Sequence, residues 1–347
     1  MKKRLLILII CLPAVWSYGY TQTLSATVYD ATTKQAIAGV NVYLDGTSIH
    51  TTTNAHGQFR LNVEKQINTS LIISHVAYDL VSIADPFTAL PDKIYVKEKT
   101  NVLDEAVVFS TFTRKQMLTV FREQFLGPDK AGKGCRILNE DDIILSYDYE
   151  NNILSASAKN PVIVENDYLA YTVSFNLITF YVTYKSKTLD SDWIKQTAYF
   201  GTSSFIDKMP NDRRTRNRRD EAYKHSSISF FKNLSNNTLK ESKWQLFHRG
   251  FQVDPIRYFT VKDTLSLKLL HIRPDSNINT FVPGYKVAGK MSVLYNKKLQ
   301  SDIVFLQDSY FIDEYGNISD PQNIFFSGKL CEIRLGNMLP IEYAPEK

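Results

Sequence analysis

The densest charge in the sequence is a run of arginines. Five of them fall within seven residues: Arg213, Arg214, Arg216, Arg218 and Arg219. Guanidinium groups at this density suit phosphates and other anions, because each combines a permanent charge with several hydrogen-bond donors. Asp220 and Glu221 follow directly, and these carboxylates argue against a nucleic-acid site.

Apolar residues at helical spacing continue beyond the arginines: Tyr223, Phe230, Phe231 and Leu234. This pattern predicts one amphipathic helix that begins near Asn211 or Asp212 and carries the arginines on its solvated first turns. Positive charges there oppose the helix dipole, which favours a compensating carboxylate surface or anionic ligand. Contact with a polyanion or with lipid headgroups is the alternative to a solvated helix start.

The positions of the histidines allow the hypothesis of a zinc peptidase site to be tested. Such a site needs a His and a Glu close in sequence, a distant second His, and another Glu as general base. None of the histidines has a Glu three residues after it or a partner His nearby: His50, His56, His75, His225, His248 and His271. The chain also lacks a glycine-rich phosphate loop after a strand, a Gly-x-Ser-x-Gly motif and a distinct pair of carboxylates. We therefore predict a non-enzyme with no catalytic, cofactor-binding or metal-binding residues.

Large aromatic side chains raise the possibility of a carbohydrate platform, for which the candidates are Trp193, Tyr199, Phe200 and Trp244. Aromatic residues at strand spacing lie in a core more often than on a platform, so we expect core positions for these four.

The first residues have the composition of a secretory signal. Three basic residues at 2–4 precede the apolar run 5–15, and small residues follow at 17–19. We predict a signal peptide over residues 1–19, removed close to Tyr20, and hence an exported protein. Cys11 lies inside the apolar run, so lipidation there is disfavoured. No later stretch approaches about 18 consecutive apolar residues, so no transmembrane segment is predicted in the mature chain.

Export places Cys135 and Cys331 in an oxidising compartment, where they could form one disulfide. Two buried free thiols are the favoured alternative, because a chain of this size builds a sufficient core without a cross-link.

The elements that must position these residues begin near Leu24. Alternating apolar residues at 40–44 and 59–63 predict half-buried strands, and the apolar run 71–73 suits an inner strand. Residues 94–96 and 106–108 could close the sheet edges. Turns are expected at Asp45-Gly46 and at residues 54–57, where Gly57 is predicted to have a positive φ.

The rest of the chain opens with a clear helix signal. Thr113 and Gln116 fit a capping box, Gly127-Pro128 ends the run, and one face carries Met117, Leu118, Phe121 and Phe125. The strands predicted after it lie at 143–149, 153–156, 161–165, 171–177, 180–184, 258–261, 265–269, 290–295, 303–306 and 309–312.

Four segments resemble the carboxypeptidase-like regulatory domain. They are SATVYD at 25–30, AGVNVYLDGT at 38–47, TTTNAHGQFRL at 51–61 and LDEAVV at 103–108. The resemblance implies a small transthyretin-like (prealbumin-like) β-sandwich. Such domains occur beside the catalytic domain of some metallocarboxypeptidases and at the N-termini of outer-membrane receptors in Gram-negative bacteria. It implies a fold and a cellular address, but no reaction.

The second part resembles exported proteins known only for containing that domain. The resemblance rests on FREQFLG at 121–127, CRILN at 135–139, ENDYLAY at 165–171, RRDEAY at 218–223, DEYGN at 313–317 and LPIEY at 339–343. These proteins supply no catalytic residues to carry over.

The sequence thus predicts a mainly β protein with a sandwich at residues 20–109 and a β-rich α+β domain with a few helices at 110–347. Its 20 Tyr and 20 Phe favour strands over helical bundles, and its net charge of +5 is too small an excess to specify a partner. We expect an exported periplasmic or outer-membrane-associated protein with a structural or binding role and no cofactor. The partner would be another envelope protein, a glycan or an anionic membrane surface, and not nucleic acid. An envelope hydrolase with a dispersed site and a carbohydrate-binding module are the alternatives.

Overall fold

The computed structural model describes residues 22–99, 111–264, 267–273 and 285–345. Strands dominate these residues and form five sheets, with few helices, which confirms the mainly β fold. Buried apolar side chains form three core clusters. The clusters define three bodies: the sandwich (residues 22–99), the middle body (111–224) and the third body (227–328).

The sandwich contains β1 (Gln22–Asp30), β2 (Asn41–Leu44), β3 (His50–Thr52), β4 (Gln58–Val63), β5 (Leu71–His75), β6 (Tyr78–Ile83), the one-turn helix α1 (Pro86–Ala89) and β7 (Lys93–Val96). One sheet has the order β4-β1-β7, with β1 antiparallel to β4 and parallel to β7. The other has the order β3-β2-β5-β6 and is antiparallel. Their inner faces enclose the sandwich core.

The predicted strand patterns account for this arrangement. In β4, Phe59, Leu61 and Val63 are buried and alternate with exposed residues, as expected for a strand with one face on a core. Gly57 has a φ of 70°, which confirms its predicted turn conformation. Tyr43 departs from the alternation of β2, because it is only 4% exposed on the face that was expected to meet water. The middle body covers that face.

The middle body contains α2 (Arg114–Leu126), α3 (Lys130–Lys133), β8 (Cys135–Ile137), β9 (Ile143–Asp148), β10 (Ile153–Ala158), β11 (Val162–Asn166), β12 (Tyr171–Tyr184), β13 (Ile194–Asp207) and α4 (Arg213–Lys224). One edge of β12 pairs with β11 and β10 in turn, and its other edge pairs with β13. The predicted capping box of Thr113 and Gln116 begins α2. Phe121 and Phe125 of α2 are fully buried in the same core as the sheet residues.

The third body contains α5 (Ser227–Ser235), β14 (Trp244–His248), β15 (Phe251–Gln252), β16 (Phe259–Asp263), β17 (Lys268–Ile272), β18 (Gly289–Tyr295), β19 (Leu299–Phe305), β20 (Ser309–Ile312) and β21 (Ile324–Gly328). Its sheets have the orders β15-β14-β18-β19-β21 and β16-β17-β20. Short 3-10 turns occur at Glu140–Asp142, Ser191–Trp193, Pro255–Arg257, Pro321–Asn323, Lys329–Glu332 and Leu335–Asn337.

Residues 329–345 form a C-terminal segment that contacts all three core clusters. Leu330 lies in the core of the third body, Leu335 in that of the middle body, and Ile341 packs against that of the sandwich. The predicted division at residues 109 and 110 falls in a part of the chain outside the described residues, and it stays a prediction.

The structure departs from the sequence prediction at three places. The strands predicted at 171–177 and 180–184 form one strand, β12, with an irregularity at Ile178. The single helix predicted after the arginines is two helices, because Ser226 caps a new one by accepting a hydrogen bond from the Ser229 N–H. The strand β13 was not predicted, since its mixture of exposed and half-buried residues lacks clean alternation.

Several predictions fall outside the described residues. These are the signal peptide at 1–19, the cleavage point near Tyr20, Cys11 and the strand at 106–108. No helix within the described ranges is long and apolar enough to cross a membrane.

Candidate functional site

The turn that joins β2 to β3 inserts against the outer edge of β13. The Gly46 N–H donates to the Ser203 carbonyl at 2.7 Å, and the Phe205 N–H donates to the Thr47 carbonyl at 2.9 Å. Thr47 and Ser204 form a parallel β-bridge. The turn therefore acts as a short additional strand that satisfies part of the open edge of the six-stranded sheet.

Asp45 anchors the same turn from its side chain. Its Oδ1 atom accepts a hydrogen bond from the Ser203 N–H at 2.7 Å. Burial raises the pKa of Asp45 to about 6, although the Ser203 and Gly46 N–H groups favour its charged form. The sandwich thus presents a partly buried carboxyl group at its junction with the middle body.

A cluster of hydroxyl and amide groups extends this junction along β2 and β5. The Tyr43 hydroxyl lies 2.9 Å from the Thr202 Oγ1 atom and accepts a hydrogen bond from the Asn176 amide. The Ser74 hydroxyl donates to the Asn176 Oδ1 atom at 3.3 Å. Burial raises the pKa of Tyr43 to about 12. Since polar groups pair across it, the junction has a polar character.

The C-terminal segment holds the turn from a third side. The Ile341 N–H donates to the Gly46 carbonyl at 2.9 Å. Glu342 accepts from the Ser48 N–H at 2.7 Å and from the Ser48 hydroxyl at 2.6 Å, both through Oε1. Burial raises the pKa of Glu342 despite these bonds. Its Oε2 atom is buried and has no hydrogen-bond partner among the described residues.

The third body also contacts the sandwich. Asp313, which is almost fully buried, accepts from the Asn68 N–H at 3.1 Å through Oδ2. Beside this bond, Lys65 and Glu314 form an exposed ion pair at 3.2 Å. Each of the other parts of the described chain therefore touches the sandwich.

Arg219 occupies the centre of the arginine helix α4, and its side chain is buried. Its guanidinium forms a bidentate pair with Asp207, with both N···O distances at 2.7 Å, and it donates to the carbonyls of Leu169 and Ala170. It also lies 3.8 Å from the ring centroid of Tyr171. Burial acts to raise the pKa of Asp207, but hydrogen bonds from Arg219 and the Met209 N–H bring it below its ordinary value.

The prediction of solvated arginines is therefore wrong for Arg219 and only partly right for Arg218. Arg218 is half-buried, donates to the Tyr168 carbonyl at 3.1 Å and stacks on the Tyr168 ring. The expected start of the helix is confirmed, since Asp212 caps it through the Thr215 N–H. Arg213 and Arg214 are exposed, and neither forms an ion pair with any residue that the structure describes. Asp207 is the carboxylate that compensates Arg219, and the sequence pattern did not identify it.

A polar cavity of about 280 Å³ lies where the sandwich, the middle body and the C-terminal segment meet. Its lining includes Ser48, Tyr171, Asp207, Arg219, Glu342 and Tyr343. Arg219 and Asp207 pair with one another and join α4 to the end of β13 within the middle body. Their arrangement supports a structural role for the arginine helix.

The histidines are not brought together. His271 lies 3.1 Å from the Ser309 hydroxyl, and the Nδ1 atom of His50 lies 3.1 Å from the Ser48 carbonyl oxygen. Within the described ranges, no group of three or more His, Cys, Asp or Glu side chains is placed to hold a metal ion.

Both cysteines are free thiols. Cys135 is half-buried, and burial raises its pKa to about 12. Cys331 is exposed, so the expectation of two buried thiols is wrong for this residue. It lies on the short turn Lys329–Glu332, at the surface of the C-terminal segment.

The four aromatic candidates lie in different environments. Trp244 is in the core of the third body, and Tyr199 packs against Phe125 and Phe175 in the middle body. Trp193 and Phe200 are 48% and 63% exposed, so the prediction of core positions is wrong for both. Phe200 pairs with Thr179 beside the irregularity in β12, where the alternation of β13 is interrupted. The four side chains do not form one platform.

Sequence reasoning missed the junction. Asp45 and Tyr43 were interpreted only as turn and strand residues, and Glu342 only as part of the LPIEY segment. The Asp45-Gly46 turn could have served as a signal, because it occurs within a segment of the recognised pattern, but its partner strand β13 was not predicted.

Comparison with known families identifies one domain. Residues 24–108 match the family model described as CarboxypepD_reg-like domain. No curated protein matches the chain. The match covers the sandwich and confirms the resemblance seen in its turn and strand residues.

Proposed function

We propose that this chain, whose residues 24–108 form a carboxypeptidase regulatory-like domain, is an exported cell-envelope protein with a non-catalytic structural or binding role. The N-terminal run of basic and then apolar residues supports export. The family is a β-sandwich that serves as a companion module, which supports a role without chemistry of its own.

The observation that carries the proposal is the docked turn at residues 45–48. This turn is bound within the chain, by β13 and by the C-terminal segment, through main-chain hydrogen bonds and through the carboxylates of Asp45 and Glu342. Because the sandwich is bound on several sides, we infer that it is a structural part of a larger protein surface. A binding partner would then contact the exposed surface that the sandwich and its neighbouring bodies form together.

We propose that an anionic membrane surface is one partner. Arg213 and Arg214 are exposed on the first turn of α4, while Arg219 is committed to Asp207. Two adjacent exposed arginines supply attraction to anionic lipid headgroups on the order of 1 kcal/mol each. The attraction is expected to weaken as salt rises, because counterions screen exposed charges.

Co-sedimentation with vesicles that contain anionic lipid tests this partner. Replacing Arg213 and Arg214 by Glu should reduce the bound fraction, and the wild-type fraction should fall with increasing salt. The matched control replaces the exposed Lys93 and Lys97 of the sandwich by Glu, which changes the net charge equally. Equal losses for both double variants would show that net charge matters and that the arginine helix does not. No change in either would rule out a contact between the arginine helix and the membrane.

Activity assays test the absence of catalysis. The purified protein should contain no stoichiometric metal and should not cleave panels of peptides, esters or glycosides. Reproducible hydrolysis that is lost when a single side chain is replaced would contradict the proposal and favour an envelope hydrolase with a dispersed site.

A further inference from the structure

A second cleft lies in the third body, away from the junction. It has a volume of about 350 Å³ and lies beside β14, β15 and the turn that joins β18 to β19. Its lining is Leu239, Lys240, Ser242, Lys243, Trp244, Gln245, Leu246, Gln252, Val253, Pro255, Asn296 and Lys297. A cleft of this size accommodates a small organic ligand such as one or two sugar rings.

The charges of the described residues that line the cleft have one sign. Among them are three lysines and no carboxylate. Lys240 forms an ion pair at 2.8 Å with Asp254, which is not one of the lining residues. Neither Lys243 nor Lys297 forms an ion pair with any residue of the described ranges. Two lysines without an acidic partner in the described part of the lining favour an anionic ligand.

Neutral polar groups stand among the lysines. The Gln245 amide donates to the Gln252 Oε1 atom at 3.2 Å. Within the described part of the chain, no hydrogen bond occupies the Gln252 amide N–H groups or the Gln245 side-chain carbonyl oxygen. Asn296 is exposed on the facing turn. Amides offer both donors and acceptors, and this combination matches the hydroxyl groups of a sugar.

Trp244 supplies the apolar part of the lining. It is only 4% exposed and packs against Phe230 and Tyr295. Its indole Nε1–H is buried without a hydrogen-bond partner among the described residues. Val253 and Pro255 extend the apolar wall, which suits the C–H faces of a sugar ring better than a bare inorganic anion.

We propose that this cleft binds an acidic saccharide, with the ligand carboxylate held by Lys243 and Lys297. The amides of Gln245, Gln252 and Asn296 would pair with its hydroxyl groups, and the ligand ring would lie beside Trp244 in the lining. The inference goes beyond the proposed function. It uses none of the residues of the docked turn or of the arginine helix, so it stands whether or not those bind a membrane.

Titration calorimetry of the protein with digalacturonate tests the proposal, with neutral galactobiose and inorganic phosphate as comparisons. We expect saturable binding of one digalacturonate per chain, weakened by salt, and weaker binding of both comparison ligands. Replacing Lys243 and Lys297 by Glu should lower the affinity by roughly tenfold or more, because it places repulsive charges beside the ligand carboxylate. The control with Glu at positions 93 and 97 should bind as the wild type does.

Nuclear magnetic resonance of the tryptophan indole groups gives an independent readout. The Trp244 indole resonance, assigned from its loss in a Trp244→Phe variant, should shift on addition of digalacturonate while that of Trp193 stays in place. Absence of saturable binding would overturn the proposal. Equal affinity for galactobiose or phosphate would overturn the assignment to an acidic saccharide. An unchanged Trp244 resonance in the bound protein would place the ligand elsewhere.

Discussion

Arg219 combines four hydrogen bonds with a contact to an aromatic ring, although it belongs to a run that reads as solvated. Its planar guanidinium matches both oxygens of Asp207 and two carbonyls at once, a geometry that a lysine cannot reproduce. One residue of the run is therefore part of the fold, while its neighbours Arg213 and Arg214 remain available at the surface.

Replacing Arg219 by Met should lower the free energy of unfolding by about 3 kcal/mol, because Asp207 and two carbonyls lose their partner at a largely buried site. Urea denaturation measures the change. The control Arg213→Met removes an exposed arginine of the same helix and should alter stability by no more than about 0.5 kcal/mol. Equal effects of the two substitutions would contradict the structural role of Arg219.

Asp45 should make stability depend on pH. Its pKa in the folded protein is about 6, above the ordinary value of 3.8, so the folded state holds the proton more tightly than the unfolded state does. The resulting stabilisation is fully present below a pH of about 4 and is lost as the pH rises through about 6. Its size is on the order of 3 kcal/mol.

The variant Asp45→Asn stays neutral and keeps an acceptor for the Ser203 N–H. Wild-type stability relative to this variant should therefore fall between pH 4 and pH 7, as measured by urea midpoints. Glu342 also has a raised pKa, but it is present in both proteins and its contribution cancels. A difference that does not change with pH would show that Asp45 is not buried at the junction.

At the scale of elements, the turn before β4 depends on a glycine. Gly57 has a φ of 70°, and a Cβ atom there would lie 2.7 Å from the Val28 carbonyl oxygen and 2.9 Å from the Ala36 Cβ atom. Gly39 has a similar φ of 74°, but a Cβ atom on it would meet nothing within 4 Å. Substituting both glycines therefore separates the energetic cost of backbone strain from that of steric overlap.

Gly57→Val should cost about 3 kcal/mol or more, because it adds overlap with β1 to the strain of a β-branched residue at positive φ. Gly39→Val should cost about 1 to 2 kcal/mol, from strain alone. Thermal unfolding of both variants measures the difference. If Gly39→Val proves as damaging as Gly57→Val, the close approach of the turn to β1 is wrong.

The elements that could be predicted from sequence are those whose burial has a single regular period. β4 alternates strictly, and α2 carries a complete capping box and an apolar face. β13 could not be predicted, since one part of its edge is open and another is covered by the turn of the sandwich. For the same reason Tyr43 was expected to face water: its cover comes from Thr202, 159 residues away. Burial that depends on partners distant in sequence produces no regular spacing of apolar residues along the strand.

At the scale of the whole molecule, export remains a prediction from residues 1–19. We expect the envelope fraction to contain a chain that starts close to Tyr20, because signal peptidase requires the small residues that precede it. Mass spectrometry of the protein's N-terminal peptide checks this. Recovery of peptides from residues 1–15 in the mature protein, or a lipid on Cys11, would overturn it.

The C-terminal segment binds the turn of the sandwich and contributes to all three core clusters, so these contacts form only after residues 329–345 have been synthesised. Ser48 and its partner Glu342 are 294 residues apart, so a chain emerging from its N-terminus exposes the sandwich turn well before that partner exists. Contacts of such long range form late and slow the final step of folding. Because the same segment also reaches the other two cores, a chain interrupted before residue 330 would leave three bodies without their common tie.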